Sequence, residues 1–225
     1  MSNIIIFSVT FFLMSIAGPA TAGKGYQKDA DLIRLEHLAY WTGLLEEYHS
    51  VKGHYPFQNT LEKENSIGLV KIATKQQRSY LSPGSSNYDE RLDNNRGNRF
   101  TETSIEKFVS EIENVLNRNI AEKYDIQKVP TSSPVGYFYF YTTSGYLVWT
   151  TCITCDVTLI STLLYDGYTP TVNIVSEGMK GKVTKALTRK EMLSHPIYRR
   201  WVSRNFKKEK YMRSLVKENE SDSKN

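Results

Sequence analysis

The stretch DLIRLEHLAYWTGLLEEYHSVKGHYP, residues 31–56, constrains the fold more than any other part of the chain, because its periodicity, start and end agree on one amphipathic helix. Apolar residues fall on two adjoining stripes, Ile33, Tyr40, Leu44 and Val51 beside Leu35, Leu38, Thr42 and Leu45, with Trp41 and Tyr48 at the seam. Glu36, Glu46, Glu47 and Ser50 gather on the remaining arc. A face that wide needs a sheet to lie on. Asp29 or Asp31 is the expected N-cap, Lys52 favours the negative end of the helix dipole, and Gly53 can take the left-handed cap. Pro56 forbids continuation and pushes Tyr55 into an extended conformation.

The remainder supplies that sheet. Residues 67–74, IGLVKIAT, read as a strand inside a segment, 57–100, that is otherwise loop-like. Thr103-Ser-Ile-Glu106 is a capping box, followed by Ile105, Phe108, Val109, Ile112, Val115, Leu116 and Ile120 at helical spacing. Glu106, Glu111 and Glu113 are expected on the solvated side of this second helix. After a Pro-flanked linker at 130–134 the texture turns to β: strands at 135–141 and 146–152 about a Thr142-Thr-Ser-Gly145 turn, then 156–164 and 171–175. In sequence these make an antiparallel meander. Tyr137, Tyr139 and Tyr141, at period two, are expected to pack across strands. The fold class is therefore α+β: a long N-terminal helix on an antiparallel β-meander, with a second helix and a basic helical C-terminal arm.

The helix exit, Gly53, His54, Tyr55 and Pro56, together with the helix before it, resembles the region of type IV pilins and type II secretion pseudopilins where the N-terminal helix ends in a Gly-x-Tyr-Pro turn. The likeness covers roughly residues 31–57 and implies a helix, then a loop, then an antiparallel sheet wrapped against the helix. The Gly-Phe-Thr-Leu-x-Glu processing motif of pilin precursors is not found in the chain. The resemblance implies a shared fold; filament membership does not follow from it.

Residues 1–22 run through IIIFSVTFFLMSIAG and close with Ala20-Thr21-Ala22 before Gly23, the small-x-small form of a signal-peptidase site. Gly18-Pro19 interrupts the apolar run, which is short for the about 20 residues of a membrane span. Cleavage near Ala22 and a periplasmic or secreted mature protein are expected. With 225 residues, 40% hydrophobic and 12% aromatic, the chain has material for one packed domain, placed at 23–179.

Cys152-Ile-Thr-Cys155 is the motif with the most pointed chemistry. A redox pair would want its first sulfur at a helix N-terminus, yet β-formers flank both sides; a zinc site would want further ligands at useful spacing. An export route and a four-residue turn suit a structural disulfide between Cys152 and Cys155. His37, His49, His54 and His195 form no catalytic or metal pattern in sequence, so no cofactor or metal is expected and enzyme activity is the minority reading. Its most concrete form is a periplasmic thiol-disulfide oxidoreductase using that cysteine pair.

Charge is unevenly placed. Residues 180–217 hold 13 Lys and Arg against Glu191 and Glu209, a balance of +11, while the whole chain carries +5. Thr188-Arg-Lys-Glu191 caps a helix, Pro196 can open another carrying Ile197, Tyr198, Trp201 and Val202, and residues 218–225 form a polar tail expected to be disordered. Arg199, Arg200, Trp201, Arg204, Lys207, Lys208, Lys210 and Arg213 are the expected partner-binding residues. The partner would be an envelope or secretion-system protein or an anionic surface; nucleic acid fits the charge but not the compartment. The function expected is a non-enzymatic interaction or assembly protein.

Overall fold

Helix α1 (Ala22–Lys52) runs for 31 residues, about 46 Å at 1.5 Å per residue, and the rest of the fold wraps one side of it. The computed structural model describes residues 22–61, 66–90, 92, 100–127, 136–152, 154–155, 162–163, 170–183, 186–200 and 202–203, with the backbone alone for 22–29, 162–163 and 170. Along the chain follow β1 (Gly68–Ile72), α2 (Lys75–Ser79), β2 (Thr101–Thr103), α3 (Ile105–Leu116), β3 (Tyr137–Thr142), β4 (Gly145–Thr151), β5 (Thr162–Leu163), β6 (Pro170–Val175), β7 (Leu187–Thr188) and α4 (Arg189–Ser194). Among the described residues no helix is long and apolar enough to cross a membrane.

The strands form one mixed sheet in the order β2-β1-β3-β4-β6-β5, with β7 also on β6. The pairs β1–β3, β3–β4, β4–β6 and β5–β6 are antiparallel; β2 joins β1 and β7 joins β6 in parallel. The sheet is thus not a plain meander. β4 pairs directly with β6, and of the strand expected at 156–164 only Thr162–Leu163 is described, as β5 on the far side of β6. The short polar β2, Thr-Glu-Thr, gave no alternation from which to foresee it.

Register explains the aromatic alternation. Tyr139 lies opposite Val70 and Val148, and Tyr141 opposite Gly68 and Tyr146, so these side chains share the face toward α1. There they meet Leu35, Leu38, Trp41, Leu44, Leu45 and Tyr48 in the main core. α3 completes this layer: the Phe108 ring lies 5.9 Å from that of Trp41 and 5.1 Å from that of Tyr139. Phe138 and Trp149 point to the opposite face, stacked at 4.2 Å, and are covered by Leu81 and Leu92. Gly68 is required by close approach, since a Cβ there would lie 1.8 Å from the Tyr141 ring.

Several local expectations need correction. α1 continues upstream of Asp31, so Asp31 is an interior helical residue rather than a cap. Val51 is 60% exposed, whereas Glu46 is half-buried and accepts from two tyrosine hydroxyls. The N-cap of α3 is Ser104, whose hydroxyl accepts from the Lys107 N–H; Thr103 is the last residue of β2 and its hydroxyl bonds with that of Tyr141. Glu111 accepts from the Tyr48 hydroxyl and Glu113 from the Ile120 N–H, leaving Glu106 as the exposed one of the three. α2 went unforeseen although Thr74-Lys-Gln-Gln77 is a capping box, present in full. The exit of α1 is as expected: Gly53 has φ 75°, Tyr55 and Pro56 are buried, and the Pro56 carbonyl accepts from the Tyr139 hydroxyl.

Candidate functional site

The expected C-terminal arm begins inside the body. Leu187 and Thr188 pair with Ile174 and Val175, Met192 is fully buried, and Leu193, Ile197 and Tyr198 pack on the main core. The capping box is present, with the Glu191 carboxylate accepting from the Thr188 N–H at 2.7 Å and from the Lys180 ammonium at 2.6 Å. That ammonium and the Thr188 N–H hold the Glu191 carboxyl below its usual range. The chain is helical again over residues 196–200, as Pro196 at a first helical position allows.

This packing leaves a cationic surface. Arg199 and Arg200 are exposed, and Arg200 donates through Nε to the Pro196 carbonyl at 3.3 Å. Trp201, Arg204, Lys207, Lys208, Lys210 and Arg213 lie outside the described residues. What the sequence reading missed is Arg189, which is half-buried and reaches back over α1, its Nε 3.4 Å from the Ala39 carbonyl. With Lys190 and Arg199 it lines an open groove of about 510 Å³, floored by Val175 and Leu193 and bounded also by Glu46 and Glu177. Glu46 is engaged there by the Tyr146 hydroxyl at 2.8 Å and the Tyr55 hydroxyl at 3.3 Å. Burial first, and then the Glu46 carboxylate, push both phenols well above their usual range, so they remain donors. The signal for Arg189 was present in sequence as Gly43, a glycine in the interior of a strongly periodic helix.

Cys152 and Cys155 form the expected disulfide, with Cα atoms 5.5 Å apart. Cys152 is fully buried at the end of β4 and Cys155 is half-buried. Between them Thr154 donates its N–H and its hydroxyl to one oxygen of Asp31, at 2.6 and 2.8 Å. The other Asp31 oxygen takes Arg34 Nη1 at 2.7 Å, and Arg34 continues through Nε to Asp125 at 2.8 Å and through Nη2 to Gln127 at 2.9 Å. Asp125 also accepts from the Gly136 N–H at 3.2 Å, and the Gln77 amide donates to the carbonyls of Asp125 and Gln127. One guanidinium thus lies between two carboxylates, with side-chain exposures of 1%, 3% and 0% for Arg34, Asp31 and Asp125. With its hydrogen bonds satisfied, such a cluster fixes geometry: it ties α1, α2, the 120s loop, the start of β3 and the disulfide turn at one point.

His37 lies against Tyr137, 2.9 Å from Nδ1 to the hydroxyl, and His49 stacks on Tyr55. No group of His, Cys, Asp or Glu among the described residues could hold a metal ion. What fold and site define together is an α+β, helix-on-sheet protein with a disulfide-tied turn and a cationic C-terminal face. Comparison with known proteins finds no family model, no curated relative and no solved structure that matches the chain.

Proposed function

We propose that the chain is an exported, non-enzymatic interaction or assembly subunit with a pilin-like body, engaging an acidic partner through its basic C-terminal face. One observation carries this reading: the described arginines sort by position. Arg34, Arg78 and Arg118 each close on a carboxylate within the chain. Arg189, Arg199 and Arg200 form no ion pair among the described residues. Arginine presents a planar fork suited to carboxylate, and three without an ion pair in one region suit an interface for acidic groups. The pilin likeness rests on the Gly53-His-Tyr-Pro56 exit and on a long helix followed by a sheet that covers it. Export rests on the form of residues 1–22.

The test is recovery of the protein from its own cells. Its intact mass should begin near Gly23, and it should co-purify with an acidic envelope component that an Arg199→Gln, Arg200→Gln variant of normal circular dichroism fails to retain. Equal retention by that variant would overturn the reading.

A further inference from the structure

We propose that the groove between α1, the end of β6 and α4 docks an acidic segment of a protein partner, one partner carboxylate seating on the Arg189 guanidinium. This rests on the reading of the basic face as an interaction surface and names the site and the ligand chemistry. The first observation is Gly43. A glycine inside a helix is less favourable than alanine, yet here it leaves room beside the Arg189 guanidinium. A Cβ at position 43 would lie 3.2 Å from Arg189 Nη2 and 3.5 Å from its Nε. The scaffold thus opens one helix so that a guanidinium from another can lie across it.

The second observation is what that guanidinium lacks. Arg189 is half-buried, its contact with the Ala39 carbonyl is long, and no carboxylate among the described residues lies within ion-pair distance. Glu46 lines the same groove but is occupied by the Tyr146 and Tyr55 hydroxyls. A partly desolvated guanidinium that makes no direct ion pair gains from a bidentate carboxylate, because two of its N–H groups can donate in parallel. Lys190 and Arg199 add positive charge at the same groove, and Val175 with Leu193 offers an apolar floor for an aliphatic neighbour of the acidic residue.

Shape and charge favour a protein segment over a lipid surface. Arg189 is recessed, so a side chain entering the groove reaches it where a flat layer of headgroups does not. Glu46 and Glu177 on the same lining oppose a dense sheet of negative charge but tolerate a single carboxylate placed on the arginine side. The exposed large apolar residues among those described, Val51, Ile67 and Val202, are not part of the groove lining.

The experiment is fluorescence anisotropy of the full mature chain with a short labelled peptide of alternating Glu and Leu, its Lys/Leu counterpart, and phosphatidylglycerol vesicles. The Glu peptide should bind and the Lys peptide should not. Arg189→Gln should weaken binding about tenfold, as loss of a charge-assisted pair implies. Gly43→Ala should keep the protein folded and weaken binding by no more than about twofold, because the added methyl would lie 3.2 Å from Nη2 and asks the flexible side chain to shift only slightly. Exposed Lys190→Gln should weaken it about twofold with no change in stability. Unchanged peptide affinity in Arg189→Gln would overturn the groove site while leaving the wider basic face standing if Arg200→Gln still weakens envelope binding. Arg189-dependent binding of vesicles but not of the Glu peptide would overturn it in favour of a lipid headgroup.

Discussion

Thr154, held between the two disulfide cysteines, gives both its N–H and its hydroxyl to one carboxylate oxygen of Asp31, a residue 123 positions earlier on α1. The disulfide turn is therefore tied to the same buried cluster that holds Arg34 and Asp125, and its energetics can be tested residue by residue.

Removing Arg34 should be worse than neutralising Asp31. Arg34→Met leaves two buried carboxylates without their cation and should lower unfolding free energy by about 3–5 kcal/mol. Asp31→Asn leaves a balanced Arg34–Asp125 pair and loses charge-assisted bonds to Arg34 and Thr154, for about 1–3 kcal/mol. Urea unfolding of both variants measures the difference; equal losses would show that the cluster does not act through its charge balance.

The disulfide should be structural. Thiol titration of the folded protein should find none free, and replacing both Cys152 and Cys155 by Ser should lower stability by about 2 kcal/mol, the loop-closure value for so short a loop. Neither protein should speed insulin reduction. Catalysis by the wild type that the double variant loses would show a redox enzyme instead.

His37 should make stability fall on mild acidification. Burial, and then Lys123, lower its pKa below the ordinary 6.5, against the smaller opposing pull of Glu36, Asp125 and the Tyr124 backbone. The unfolded chain then binds the proton more readily, so stability is full above about pH 6.5 and declines as pH falls toward the depressed folded value. Glu106, whose own backbone N–H and Arg78 hold its carboxyl low, and Glu191 act in the same direction but only near and below their ordinary 4.5. Melting temperatures from pH 7.5 to 5 should slope for the wild type and flatten for His37→Gln; parallel slopes would remove His37 from the account.

Gly68 should resist substitution. A methyl there enters the Tyr141 ring, and Gly68→Ala should cost about 1–3 kcal/mol by overpacking. Pairing it with Tyr141→Leu should recover much of the loss in the same unfolding experiment; additive losses would show that the ring is not the obstacle.

Much of this architecture is legible in the chain. The periodicity of α1 with its Gly53 and Pro56 exit, the period-two aromatics of β3 and the Thr188 capping box each depend on neighbours within a few residues, and each is found as expected. Arg34 shows the limit. Nothing near it in sequence marks it for burial, which depends on Asp125, 91 residues away in a loop without periodic signal. β2 is hidden for a similar reason, since three polar residues become a strand only through β1. The groove combines both difficulties: Gly43 is visible in sequence, but the residue that fills its space lies 146 positions on, at Arg189. Of the residues expected to bind a partner, Arg199 and Arg200 are exposed, and Trp201, Arg204, Lys207, Lys208, Lys210 and Arg213 fall outside the described residues.

The most direct measurement is the salt dependence of association between the full mature chain and immobilised poly-L-glutamate, for wild type and for Arg199→Gln, Arg200→Gln. A cationic face that engages acidic partners predicts tight association at low salt and steep weakening toward about 0.3 M, where exposed charges are screened within less than about 8 Å. The double variant should show a weaker affinity and a shallower slope. Identical affinities and slopes for the two proteins, with circular dichroism confirming the same fold, would contradict the account.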